Sequence, residues 1–292
     1  MIDDAYGATI AKLSLSAILT DLRVARGLTA SQVCEGLGWG RGKLGRFEAN
    51  HWKRPELSDI RDLLRLYDIE PYEQERITEL ALLARKRPWW RDYGDVFETE
   101  YPGFENDAAD IEIFSPLTIP ALLQTRRYAE VQHSRLKPAM RARGRLVEAV
   151  LTRQRILSRD DGTAPTLIAV VTEAALLYTW GSPADRLEQI RHLARLNSRP
   201  HVDVRVHSFA AGPPPFPLGA VTLMRFRLDG PAVVLTDTGL TSAIVTDRDE
   251  VDRHAAWLRR LREQAHDQIK TGEYLAELTK GLLPQVDLAE IE

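Results

Sequence analysis

The stretch that decides the fold of the first third of the chain is LRVARGLTASQVCEGLGWGRGKLGRFEAN, residues 22–50. Thr29 and Gln32 have the spacing of a capping box, so a helix is expected to begin there and to end at Gly38. A three-residue turn that starts at this glycine leads into a second short helix over residues 41–49. The stretch therefore predicts two short helices joined by a tight turn.

The second predicted helix has two different faces. At about 100° per residue, Leu44 and Phe47 fall on one side, and Gly42, Gly45 and Arg46 fall away from them. A glycine inside a helix costs about 1 kcal/mol relative to alanine, so neighbouring elements must hold this helix in place. Because Gly42 and Gly45 have no side chains, the backbone at these positions can approach a large partner closely.

A cationic cluster surrounds this helix. Residues 41–54 hold five cationic side chains against the single anion Glu48, a formal charge of +4 in a chain whose net charge is −3. The five cations are Arg41, Lys43, Arg46, Lys53 and Arg54. Because this local excess matches a run of phosphates, we predict that the partner is double-stranded DNA.

Each residue of the predicted interface has a role. Arg41 is the leading base reader, because a guanidinium pairs with guanine O6 and N7 at two points, and Arg46 is the second. Gly42 allows the close approach. The predicted phosphate contacts use side chains or helix-start backbone N–H groups, and they set the register. They are Ala30, Ser31, Gln32, Lys43, Lys53 and Arg54.

Helical periodicity extends over residues 17–87 and predicts an all-α first domain, residues 1–87. Ser58 is a candidate cap of the third helix, with Asp59 in its first turn. Pro71 suits the first position of a fourth helix that ends near Lys86.

The composition changes after residue 87, and we place the second domain at residues 88–292. Helical periodicity and alternating β-type runs are both present in it, which predicts a mixed α/β fold. The predicted helices are 119–132, 145–158, 182–197 and 247–270, and the predicted strands are 166–172, 201–207, 220–228 and 232–236. The fold class is therefore mainly α with a C-terminal α+β domain.

Residues 22–50 resemble the Xre-type helix-turn-helix, whose pattern is LRxxxGLT followed by xxxLAxxLGxSxSxxSRxENG. The resemblance implies a five-helix, lambda-repressor-like domain. It also implies a largely buried ion pair between Arg23 and Glu48 that joins the first helix to the recognition helix. Glu48 is then a structural residue rather than a DNA contact.

A second resemblance extends over most of the chain. Trp89-Trp90, IPALLQT at 119–125, Arg153-Gln154 and LEQIRHL at 187–193 are similar to the actinobacterial WhiJ-like regulators. The resemblance implies a transcription regulator with a C-terminal domain of uncertain role, often encoded beside a small partner protein in a toxin-antitoxin-like arrangement. Two hypotheses stay open: a homodimeric operator-binding regulator, or an antitoxin-like protein that mainly neutralises this partner.

The bulk properties predict a cytoplasmic protein without a membrane span. The chain has 292 residues, of which 28% are charged, and its single Cys34 cannot close an intrachain disulfide. The amino terminus opens with acids where an export signal carries Lys or Arg. The longest apolar stretch, residues 167–180, is too short to cross a bilayer.

Four polar residues on one side of a predicted strand raise the alternative of a metal site: His201, Asp203, Arg205 and His207. An exposed strand face explains the same pattern, and Arg205 would repel a cation. We therefore predict no metal here.

Two other pairs suggest acid-base chemistry, Glu173 with Tyr178 and Asp247 with Asp249. Solvated surface or capping roles explain them better, and no nucleophile-base spacing accompanies them. The proline-rich segment 212–217 either lines a pocket or straps two strands. We predict no enzyme activity and no cofactor, and the sequence does not identify a small-molecule effector.

Overall fold

The computed structural model describes residues 7–52, 54–134, 140–214, 219–227, 231–239 and 241–289, and at 140–143 and 287–289 it describes the backbone alone. The chain forms two compact units. The first comprises Met1–Asp92, Pro102–Asp107 and Phe226–Pro231, and the second comprises Tyr93–Tyr101, Ala108–Arg225 and Ala232–Glu292. A single boundary after residue 87 was predicted. In the structure the chain instead passes between the two units several times.

Five helices around one apolar core form most of the first unit, which confirms the predicted helical domain. They are α1 (Ala8–Ala25), α2 (Ala30–Gly36), α3 (Lys43–Glu48), α4 (Leu57–Leu66) and α5 (Pro71–Ala84). Leu15, Leu44, Leu63 and Ile77 have no exposed surface in this core. Burial of such side chains contributes about 1.5 to 3 kcal/mol each and so holds helices that are too short to be stable alone.

Two predicted helix starts in the first unit have different outcomes. Pro71 occupies the beginning of α5, as expected from its fixed φ. The predicted capping role of Ser58 is wrong, because α4 already begins at Leu57 and Ser58 lies inside its first turn. Asp59 lies in that first turn as predicted.

A distant carboxylate caps the beginning of α1. Gly7 occupies the N-cap position and has no side chain to offer. Asp107, at the end of α6 (Tyr101–Asp107), accepts hydrogen bonds from the backbone N–H groups of Thr9 and Ile10, both at 3.0 Å. This carboxylate satisfies two of the N–H groups that every helix leaves open at its start.

The second unit contains a six-stranded mixed sheet, in the order β3-β2-β1-β4-β5-β6. β1, β2 and β3 are parallel, and β4, β5 and β6 continue the sheet antiparallel from β1. The strands are β1 (Asp110–Ser115), β2 (Thr166–Thr172), β3 (Val202–His207), β4 (Ala220–Arg225), β5 (Val233–Asp237) and β6 (Ser242–Val245). The predicted α+β class is thus confirmed.

Strands β1 and β6 were not predicted from the sequence. β1 lies inside the sheet between β2 and β4, but the charged Glu112 in its middle interrupts the apolar pattern of an interior strand. The Glu112 carboxylate is buried and lies 3.7 Å from the Arg262 guanidinium, while burial raises its pKa. β6 has only four residues and lies at the sheet edge. Both strands depend on pairing with distant segments, which short-range alternation does not reveal.

The helices of the second unit agree with the prediction in part; the short helix Glu173–Leu177 and the continuation of the last helix to Ala289 were not predicted. They are α7 (Arg126–Ser134), α8 (Met140–Gln154), α9 (Glu173–Leu177), α10 (Pro183–Asn197), α11 (Arg248–Gln264) and α12 (Gln268–Ala289). The predicted single helix over 247–270 is wrong, because Ala265 is extended and separates α11 from α12. The predicted helix over 119–132 is likewise interrupted, since Gln124 is extended before α7 begins. None of the described helices is both long and apolar enough to cross a membrane.

Candidate nucleic-acid interface

The start of α2 is the capping box that the sequence predicted. Gln32 N donates to the Thr29 hydroxyl at 3.2 Å, and Thr29 N donates to Gln32 Oε1 at 2.8 Å. The cap therefore uses the amide oxygen of Gln32. Its amide nitrogen and the first N–H groups of α2, near the exposed Ser31, are the groups suited to a phosphate.

Helix α3, the predicted recognition helix, is shorter than the predicted 41–49. It begins at Lys43, because Gly42 adopts a left-handed conformation with φ of 80° and occupies the N-cap position. Glycine adopts this conformation without strain. Arg41 consequently lies in the turn before the helix rather than in its first turn. Gly42 therefore belongs to the turn before the helix and not to the helix itself.

The two faces of α3 are as the periodicity predicted. Leu44 has no exposed surface and Phe47 keeps only 6% exposed, so this face packs into the core of the first unit. Gly45 and Arg46 are exposed on the opposite side. A β-carbon placed on Gly45 would meet nothing within 4 Å, so this part of the helix surface is open.

Arg23 of α1 and Glu48 of α3 form a two-point ion pair. Arg23 Nε and Nη2 donate to the two Glu48 carboxylate oxygens at 2.5 and 3.1 Å, and Nη1 donates to Leu28 O at 2.7 Å. The side chains keep 17% and 15% of their surface exposed. The hydrogen bond with Glu48 raises the pKa of Arg23, and burial raises the pKa of neighbouring Tyr67 to about 12. The pair therefore joins α1 to α3 by charge-assisted hydrogen bonds at two points.

Two tryptophan side chains pack against Phe47 of α3, a feature that was not predicted from the sequence. Phe47 stacks on Trp39 with ring centroids 6.2 Å apart, and it also contacts Trp52, with centroids 5.5 Å apart. The Trp52 indole N–H donates to the Ser16 hydroxyl of α1 at 3.0 Å. Tryptophans placed just before and just after a glycine-containing helix were the available clue to this support.

The cations of the predicted interface divide into two groups. Arg41, Arg46 and Arg54 are exposed, and within the described parts of the chain none of them forms an ion pair. Lys43 instead directs its ammonium to Asp59 of α4, 2.7 Å away, and over the Trp39 ring. Lys53, a predicted phosphate contact, lies outside the described residues.

One member of each candidate acid-base pair has structural partners in the second unit. Both Glu173 oxygens accept hydrogen bonds, from the Tyr274 hydroxyl at 2.8 Å and from Phe209 N at 2.7 Å. Burial, followed by the bond to Glu173, raises the pKa of Tyr274. Asp247 caps α11 by accepting from Glu250 N at 3.0 Å.

The polar face of β3 is occupied mainly by an ion pair. Arg205 Nε lies 2.8 Å from Asp203 Oδ2, so the arginine neutralises the carboxylate beside it. His207 is buried, and burial lowers its pKa. Over the residues that the structure covers, no three His, Cys, Asp or Glu side chains are grouped as a metal site requires.

Comparison with protein families supports both units. A helix-turn-helix domain matches residues 14–77, and a domain of unknown function (DUF5753) matches residues 99–277, well over half of the chain. No curated protein and no solved structure matches the chain. The chain therefore belongs to the DUF5753 family and has a helix-turn-helix domain before the family's characteristic region.

Proposed function

We propose that this protein is a sequence-specific, DNA-binding transcription regulator of the Xre type, similar to the WhiJ-like proteins. One observation carries the proposal. The exposed side of α3 and the turn before it presents Arg41, Gly42, Gly45 and Arg46, while the opposite side is held by core packing and by the Arg23–Glu48 pair. A short helix that is rigidly held and cationic on its open side suits insertion into a major groove.

In this proposal Arg41 and Arg46 contact base edges. Arg54, Lys53 and the start of α2 around Ser31 and Gln32 contact phosphates and set the register. The regulator acts as a homodimer in the cytoplasm, with two copies of α3 in successive major grooves about 34 Å apart on a near-palindromic operator. The proposal assigns binding rather than catalysis to both units, and it requires no cofactor.

Arg41→Ala and Arg54→Ala test the division between base and phosphate contacts. Arg41→Ala is expected to cost about 1 to 3 kcal/mol on a duplex selected by the wild-type protein from a random library, and to relax one base position. Arg54→Ala is expected to weaken binding to selected and random duplexes alike. Both effects are measured by fluorescence anisotropy at fixed salt. Equal losses on both duplexes for both variants would contradict the assigned roles.

Gly45→Ala tests whether the open backbone of α3 meets the groove. The added methyl group has free space in the isolated protein and removes the helix penalty of glycine, so stability is expected to rise by about 0.5 to 1 kcal/mol. At a close-packed DNA interface the same methyl group is expected to cost about 1 to 3 kcal/mol of affinity. Thermal unfolding and anisotropy measure the two changes. Unchanged affinity in the more stable variant would place Gly45 outside the contact surface.

A second candidate function is antitoxin-like binding of a small partner protein by the second unit. Its support is the exposure of large apolar side chains after β2 and β3: Leu177, Tyr178 and Phe209 are 48%, 52% and 63% exposed. Co-expression of the full chain with the product of the neighbouring gene tests it. A complex that survives gel filtration and is lost in the Phe209→Ser variant is expected, and absence of any complex at micromolar concentration would count against it.

A further inference from the structure

The ion pair between Lys43 and Asp59 has an unusual position for a merely structural contact. Lys43 is the first residue of α3, next to Gly42 and three residues before Arg46, so it lies at the edge of the surface proposed to meet DNA. A lysine side chain is long and has several rotatable bonds, which lets its ammonium reach a phosphate from such a position. In this structure it is directed elsewhere.

Two contacts direct the Lys43 ammonium toward groups of the protein itself. Its Nζ lies 2.7 Å from Asp59 Oδ1 and 4.1 Å from the centroid of the Trp39 ring. The lysine and aspartate side chains keep 30% and 15% of their surface exposed. The carboxylate neutralises the ammonium, and the indole face attracts it as well.

We propose that Asp59 limits the phosphate footprint of the DNA-binding surface by retaining Lys43, and so sets the affinity for non-specific DNA. This inference rests on the proposed DNA-binding function. Each lysine or arginine that neutralises a phosphate steepens the salt dependence of binding, and such contacts supply nearly all non-specific affinity. Asp59 therefore acts as a positioning residue: it touches no DNA but removes one cation from the set that does.

The test is the salt dependence of binding to a random duplex, measured with the full chain. Asp59→Asn is expected to release Lys43 and to steepen the slope of log affinity against log salt by about 0.9. Between 50 and 200 mM salt, the variant is then expected to lose about 3.5-fold more affinity than the wild type. Lys43→Gln alone is expected to leave the slope at the wild-type value.

Two controls separate retention of Lys43 from a general change of charge. Asp62→Asn removes the same charge from α4 at an exposed pair with Arg65, and it is expected to leave the slope unchanged. The double variant K43Q/D59N is expected to match K43Q, because the released group is missing. Thermal unfolding of each variant verifies that it is folded at the assay temperature.

The outcomes separate this inference from the proposed function. A wild-type protein that shows no affinity for any duplex overturns the proposed function and this inference with it. Measurable wild-type binding with a slope that Asp59→Asn leaves unchanged overturns this inference alone. This inference is also overturned if Asp59→Asn steepens the slope equally when Lys43 is already replaced by glutamine, because the effect then does not depend on Lys43.

Discussion

Glu48→Ala is expected to destabilise the first unit by about 2 to 4 kcal/mol, because it leaves the Arg23 guanidinium without its carboxylate in a site that is mostly withdrawn from water. The expected cost lies somewhat below that of a fully buried pair, since both side chains retain some exposure. Because the pair joins α1 to α3, binding to selected and random DNA is expected to fall together. Calorimetry measures the unfolding transition, and anisotropy measures the binding.

The matched control for this prediction is Glu73→Ala. Glu73 also pairs with an arginine, Arg76, but within the surface of α5 and at three residues' separation. Exposed pairs of this kind contribute about 0.5 kcal/mol or less, so the control is expected to change stability little. If the Glu48 variant is no less stable than the Glu73 variant, the ion pair does not hold the recognition helix.

Gln189→Met is expected to lower the free energy of unfolding of the second unit by about 2 to 6 kcal/mol. The Gln189 side chain, only 1% exposed, accepts from Thr125 N at 2.7 Å and donates to Leu123 O at 2.8 Å. Methionine has a similar length but replaces neither bond, and each buried backbone group left unpaired costs about 1 to 3 kcal/mol. Chemical denaturation followed by circular dichroism measures the loss.

Gln285→Met is the control for this second prediction. Gln285 is exposed on α12, where it accepts from Arg186 Nη2 at 3.1 Å, so water replaces the lost bond. A change within about 0.5 kcal/mol is expected. Similar stabilities for the two methionine variants would show that the extended segment before α7 is held by other contacts.

Short-range patterns were sufficient for most of the first unit. The capping box at Thr29, the glycine turn that begins at Gly38 and the proline at the start of α5 each act within a few residues. The two faces of α3 followed from helical periodicity for the same reason. The prediction was less accurate at position 42. Helical periodicity placed Gly42 inside the helix, but this glycine is left-handed and lies just before the first helical residue.

Groups far apart in the sequence decided the remaining features. Asp107 caps α1 from about 98 positions away, Gln189 satisfies a backbone N–H 64 positions away, and Asp59 is the partner of Lys43 from another helix. The count of charges in residues 41–54 could not include this carboxylate, which α4 supplies from outside that stretch. Similarly, β1 and β6 exist only through pairing with strands elsewhere in the sheet.

The amino-acid sequence alone determined that the chain combines a helix-turn-helix with a mixed α/β region, and which face of the recognition helix packs inward. Such features arise from interactions between residues a few positions apart, which depend little on the path of the rest of the chain. The tertiary structure alone decided which cations stay open to a partner and which are neutralised internally. That outcome depends on electrostatic and hydrogen-bonding partners that only the folded path of the backbone brings within about 3 Å.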